Sequence, residues 1–214
     1  MPISRAHLVI SATLAVGIAA CNAPAPPTLA PIHPTPQPSA GTGPTDFSTT
    51  SFAVPFTITI PSGWRAGDQT ADMLALGLAG NAENIGIDIQ LVPKVYADPC
   101  ADRSGATDPA GSSAADLAAW MLAWAPLAAA SSAPVTIAGQ HALVVDEAFA
   151  GMPCQNANLW PTSGGWLDAA EHKRYFIFEA SGNRFVATIV SPDSTFASQV
   201  DTGLAVLGTL TFRP

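Results

Sequence analysis

At 214 residues the chain is long enough to bury a substantial core but short for several domains. Charged side chains make up 11% of it, well below the roughly 25% of ordinary soluble proteins, and the formal net charge is −8. This acidic, charge-poor balance excludes a nucleic-acid binder, whose phosphate contacts need Lys and Arg clusters, and a polybasic membrane contact. Lys173-Arg174 is the one basic pair.

The first twenty residues have the three parts of an export signal: a short start carrying Arg5, an apolar run from about Leu8 to Ala20, and small residues before Cys21. A permanent membrane helix needs about 20 consecutive apolar residues, more than this run supplies. The segment Ile18-Ala19-Ala20-Cys21 resembles the lipobox of bacterial lipoprotein precursors. That resemblance implies cleavage after Ala20, diacylglycerol on the Cys21 thiol and a further acyl chain on the new amino group. Each buried methylene contributes about 0.8 kcal/mol, so two or three chains anchor firmly. The expected location is therefore the extracytoplasmic face of a cell membrane, with the membrane itself as a partner through Cys21.

Residues 21–46 form the next unit. Eight prolines fall between Pro24 and Pro44, with Ala, Thr, Ser and Gly in most of the gaps and no Asp, Glu, Lys or Arg. Proline lacks an amide hydrogen and restricts the residue before it, so a tether is expected here rather than helix or sheet. His33 lies in this tether. Residues 47–214 have the composition of a single globular domain.

Within the domain, Phe52, Val54, Phe56, Ile58 and Ile60 recur at every second position, which predicts a strand with one buried face and Pro55 at a sheet edge. Pro61-Ser62-Gly63-Trp64 predicts a turn. Leu74 to Ala79 and Ile85 to Leu91 alternate in the same way and predict two further strands, completing an antiparallel meander. A long loop spans 93–111. Ser113 and Asp116 have the spacing of a capping box, and Leu117, Trp120, Met121 and Trp124 recur at helical spacing until Pro126. Val135–Ala138 and Ala142–Phe149 predict a hairpin around Gly139-Gln140. Tyr175–Phe178 and Phe185–Val190 predict another around Ser181-Gly182-Asn183, apolar on both faces and hence central. Ser194 is positioned to cap a last helix with Phe196, Val200, Leu204 and Leu207 on one stripe, and Leu210–Phe212 predicts a short closing strand.

The fold class read from this order is α+β, an antiparallel sheet of about six to eight strands with two main helices packed on it. The strand Phe56-Thr57-Ile58-Thr59-Ile60, the turn Pro61-Ser62-Gly63-Trp64 and the two-helix order resemble the PsbP-like group, including its actinobacterial lipoprotein members. The resemblance spans most of residues 47–214. It implies a central antiparallel sheet between helices and an accessory or binding role, with no shared reaction and no transferable site residues.

Catalytic motifs are absent from the sequence: there is no G-x-S-x-G elbow, no phosphate-cradling loop and no dinucleotide fingerprint. After lipidation Cys100 and Cys154 remain, each following a proline. An oxidising compartment makes a disulfide between them the default reading. A metal site drawn from Cys100, Cys154, His141 and His172 lacks any CxxC, HxxxH or HExxH spacing. Asp146 and Glu147 are adjacent on a strand and point to opposite faces. Asp98, Asp102 and Asp108 share a loop without the spacing of an EF-hand. His141, in a turn, and His172, in Glu171-His172-Lys173-Arg174, are expected at the surface.

The remaining surface of interest is the stretch from Cys154 to Trp166. It holds Asn156, Asn158, Trp160, Ser163, Gly164, Gly165 and Trp166, and the disulfide would set it beside Tyr96 and Asp98. Trp160, Trp166 and Tyr96 are the candidate ligand-binding residues, able to stack on a sugar ring or grip a protein partner, unless the rings fold back over the sheet. The function expected is a non-enzymatic, lipid-tethered binding or accessory protein of the cell envelope, with an envelope protein or glycan as partner and neither metal nor cofactor. An envelope hydrolase with a site built from distant residues and a purely structural lipoprotein are the alternatives.

Overall fold

The computed structural model describes residues 43–79, 85–101, 106–107, 110–147, 154, 157–162, 165–167 and 172–213. The chain divides into two units, Met1–Pro38 and Ser39–Pro214, and every described residue lies in the second. Cys21, the leader and most of the tether are thus outside the described residues.

In chain order the elements are β1 (Thr45–Ser48), β2 (Phe56–Ile60), β3 (Trp64–Gln69), β4 (Met73–Leu78), β5 (Gly86–Leu91), β6 (Val95–Tyr96) and β7 (Ala106–Thr107). Then follow α1 (Ala114–Ala123), β8 (Ala130–Ile137), β9 (Gln140–Asp146), β10 (His172–Ala180), β11 (Asn183–Ser191), α2 (Phe196–Leu207) and β12 (Thr211–Phe212). Seven strands form the main sheet in the order β3-β4-β5-β11-β10-β9-β8, with every neighbouring pair antiparallel. A smaller sheet has the order β1-β2-β12, and β6 pairs with β7 alone. The α+β class and the strand number expected from the sequence are what the chain adopts.

Alternation along the central strands divides their side chains between two cores. On one face Leu74, Leu76, Ile87, Ile89, Phe176, Phe178, Phe185 and Ile189 pack with Phe56 and Ile58 of β2 and with Phe196, Val200, Val206 and Leu207 of α2. On the other, Val145, Tyr175, Ile177 and Val186 pack with Leu117, Ala118 and Met121 of α1 and with Ala157, Leu159, Trp160 and Leu167. The sheet therefore lies between the helices, which is why β10 and β11 are apolar on both faces.

Helix α1 starts where the sequence placed it. Ser113 accepts a hydrogen bond from the Asp116 amide, and Asp116 accepts one from the Ser113 amide, a complete capping box. Leu117 and Met121 are buried, Trp120 and Trp124 are packed against the same core, and Pro126 follows the helix within a short 3-10 turn.

Other expectations are corrected. The alternating run at Phe52–Ile60 is not one strand. Thr49 holds both the amide and the carbonyl of Phe56 through its hydroxyl, and the Ala53 amide bonds to Ala71. The chain therefore loops inward before Pro55, and strand begins only at Phe56. Phe52 still reaches the core, 5.0 Å from the Phe56 ring, but from a loop. Pro55 thus precedes the strand, and β2 is the middle strand of its sheet. The expected meander keeps its β4–β5 pairing, while β2 joins the other sheet and β3 takes the place beside β4. Among the described residues the first strand is β1, which includes Thr45 and Asp46. Thr195 caps α2 in place of Ser194, without a side-chain bond into the helix.

A candidate binding face on the disulfide-held loop

Cys100 and Cys154 are bonded, with their Cα atoms 5.7 Å apart and a sequence separation of 54. Cys100 is exposed and Cys154 half-buried. The bridge ties the segment following β6 to the one leading into residues 157–167, and backbone bonds continue the attachment. The Asn158 amide donates to Pro99, the Tyr96 amide to Leu159, and the Leu167 amide to Ala157, all at 3.0 Å. Asp98 caps the Cys100 amide at 2.9 Å.

The loop then folds onto itself. The Leu159 amide donates to Gly165 at 2.8 Å, and the Gly165 amide to Thr162 at 3.2 Å. A Cβ at Gly165 would sit 2.8 Å from the Trp160 carbonyl and from its ring, so only glycine closes this loop without displacing the tryptophan.

Trp160 is fully buried, and its expected role as a surface ligand contact is corrected. Its Nε1 donates to Gln90 Oε1 at 2.7 Å, and Thr162 donates to the same oxygen at 2.6 Å. Its ring meets Tyr175 edge-on at 6.0 Å, and Tyr175 donates to Glu147 at 2.7 Å. A buried indole needs a partner for its N–H, and Gln90 supplies one inside the core. Tyr96 is likewise buried, in β6. Trp166 differs: 38% of it is exposed, while its carbonyl receives the buried Lys173 ammonium. Of the three candidate ring residues, the structure leaves Trp166 at the surface and takes Trp160 and Tyr96 into the interior. Asn156, Ser163 and Gly164 lie outside the described residues.

Gln90, Thr162 and Lys173, which fix this loop to the sheet, were not singled out from the sequence. Gln90 sits on the polar side of an alternating strand, where exposure is the natural reading. Lys173, in a charged cluster, gives no sign that it turns inward.

His141 is exposed at the start of β9. His172 is less free than the sequence suggested, because its ring stacks on Phe196 at 3.8 Å and its Nδ1 lies 3.1 Å from Asp193. Asp146 pairs with Arg174 and Ser132, whereas Glu147 points into the core on the opposite face. Asp102 and Asp108 lie outside the described residues. Among the described residues no three His, Cys, Asp or Glu side chains gather to hold a metal ion. No helix among them is long and apolar enough to cross a membrane.

No protein-family model matches the sequence, and no curated protein matches it. Among solved structures, the chain is similar to cyanobacterial PsbP (CyanoP) from Synechocystis sp. PCC 6803, with a TM-score of 0.45 and 9% identity over 86% of this chain and 100% of that one. It is similar to LpqN, described as involved in cell envelope biogenesis of Mycobacterium tuberculosis, with a TM-score of 0.39 and 13% identity over 80% of this chain and 92% of that one. A crystal structure from Bacteroides thetaiotaomicron VPI-5482 is similar at a TM-score of 0.43 and 13% identity, over 81% of this chain and 50% of that one.

Proposed function

We propose that the chain is a lipid-anchored, non-catalytic binding or accessory protein on the extracytoplasmic face of a bacterial cell membrane, held there through Cys21 and making contact through Trp166. The observation that carries this reading is the Cys100–Cys154 bridge, because disulfides persist in oxidising compartments outside the cytoplasm. The leader ending Ile18-Ala19-Ala20-Cys21 and the proline-rich stretch after it agree with export and anchoring. The contact role rests on rigidity. Trp166 is a large ring on a loop fixed by a disulfide, by Gln90 and by Lys173, and a fixed aromatic loses little freedom on binding.

One observation favours a second reading, an envelope hydrolase. His172 beside Asp193 is the pairing of a base with an orienting carboxylate. It ranks second because the Asp193 side chain is 92% exposed and the imidazole face is occupied by Phe196.

The test expresses the full chain in a bacterium fed an alkyne fatty acid. Label on the wild type that disappears in Cys21→Ser, with the protein in the membrane fraction, supports anchoring; an unlabelled, soluble wild type would overturn it. For the contact face, a photo-crosslinking residue is placed at Trp166 and, as a control, at exposed Asp201. Recovery of the same envelope component from both positions would sink the Trp166 assignment.

A further inference from the structure

The sheet face that packs α2, away from the disulfide-held loop, borders a groove of about 420 Å³, within the range of roughly 300–1,000 Å³ typical of small-molecule clefts. Two hairpin turns build one side of it. Ala138-Gly139 joins β8 to β9 and Ser181-Gly182 joins β10 to β11, with φ of 52° and 73° in the first and 50° and 72° in the second. Two-residue turns with both φ positive match the twist of their strands and normally take asparagine and glycine. Here alanine and serine occupy the left-handed first positions, a conformation unfavourable for side chains other than Asn, Asp and Gly. The other side is the end of α2 at Gly208 and the return of Leu210–Phe212 to β12.

Phe212 supplies the apolar surface. Its ring is held by Phe185 at 4.8 Å, Phe56 at 5.9 Å and Phe178 at 6.3 Å, and it stays half-exposed while lining the groove. The polar groups are neutral. The Gln140 amide and the Ser181 hydroxyl belong to exposed residues and carry no side-chain hydrogen bond to any described residue. Among the described residues no ionisable side chain lines the groove.

This combination selects among ligands. A charged group entering the groove would lose water without gaining a counter-charge. A peptide adding to the edge of β12 would find a strand of only two residues, faced by turns that offer no ladder to continue. A sugar ring fits better, since its C–H face packs on an aromatic ring and its hydroxyls both donate and accept, as do an amide and hydroxyls. We propose that this groove binds an uncharged saccharide unit, with its apolar face on Phe212 and its hydroxyls on Gln140 and Ser181. The site is independent of the Trp166 face.

The test follows backbone amide shifts of the full-length protein in phosphocholine detergent. The probes are glucose, galactose, N-acetylglucosamine and maltose, with glucuronate and an uncharged Ala/Ser/Thr peptide as comparators. The expected result is saturable shifts at Ala138–Gln140, Ser181 and Thr211 with at least one uncharged sugar. Gln140→Ala and Ser181→Ala should each weaken binding by roughly 2- to 10-fold, the worth of one hydrogen bond. Phe212→Leu should weaken it further, and the two surface variants keep the test decisive if that one unfolds. No shift in the groove, a preference for glucuronate or the peptide, sugar shifts confined to the Trp166 loop, or binding unaffected by all three variants would each overturn the proposal.

Discussion

The indole of Trp160 donates its N–H to Gln90 Oε1 at 2.7 Å, across 70 residues of sequence and wholly inside the core. Thr162 donates to the same oxygen, so replacing Gln90 strands two buried donors. Gln90→Leu should therefore destabilise the domain by about 1–3 kcal/mol. Adding Trp160→Phe, which removes one stranded donor, should cost less than the two single losses combined. Urea unfolding of the four proteins measures this coupling; strict additivity would show that the bond holds nothing.

Removing the disulfide tests how the loop is held. The chain-entropy estimate for a sequence separation of 54 is about 4 kcal/mol, an upper figure where the unfolded chain keeps structure. Cys100→Ala with Cys154→Ala should lower global stability by up to that amount. Hydrogen exchange should speed up most at Leu159 and Leu167, whose amides bond within the loop and its base, and least at Phe176 and Ala187 in the central strands. Uniform acceleration would mean that the bridge braces the whole domain rather than this loop.

Gly203 lies in the middle of α2, where alanine would ordinarily be preferred by about 1 kcal/mol. A Cβ there would come within 2.8 Å of Ile189 Cγ1 and closer still to its Cδ1. Overpacking against a buried central strand costs about 1–3 kcal/mol, so Gly203→Ala should destabilise the protein despite its helix propensity. Ile189→Val removes the nearest carbon and should make Gly203→Ala less harmful in the double variant. Thermal unfolding distinguishes these outcomes, and a stabilised single variant would show that α2 shifts freely over the sheet.

The capping box gives α1 a pH dependence. The Ser113 side-chain hydrogen bond, with that of the Ser113 backbone, holds the Asp116 carboxyl below its ordinary value of 3.8. A carboxyl lowered on folding contributes stability that is fully present above its unfolded value and is lost as pH falls through the folded one. Asp116→Asn should therefore be less stable than the wild type at pH 7, and the difference should shrink as both are titrated down through the lowered value. A gap unchanged into strong acid would remove the carboxylate from the account.

What the sequence made legible follows from how locally each element is specified. Strands β10 and β11 announce themselves because both their faces are apolar, and α1 because its cap and stripe lie within a few residues of each other. Strand β3 was missed: Trp-Arg-Ala-Gly-Asp-Gln is an edge strand that buries little beyond Trp64, so no alternation marks it. The run at Phe52 misled in the opposite direction, because the hydroxyl of Thr49 and the missing amide of Pro55 override a period of two. Trp160 and Trp166 are the same residue type on the same loop. Gln90, on a distant strand, receives one indole, and nothing local in the sequence separates them. The groove was invisible for a related reason, since its lining comes from three connections that meet only once the sheet has formed.

The position of β11 sets an order of assembly. β5 can pair with β4 as soon as both have been made, but its other edge waits for β11, whose Ala187 lies opposite Ile89 and Thr188 opposite Asp88. β2 similarly waits for β12, about 150 residues later in the sequence. A chain emerging from its N-terminus thus carries an unsatisfied, apolar strand edge until β11 and β12 have been made. Such non-local closure makes folding slow and leaves the partial chain prone to wrong pairings. The β10–β11 hairpin, short-range and apolar on both faces, is the piece that completes the sheet from its middle.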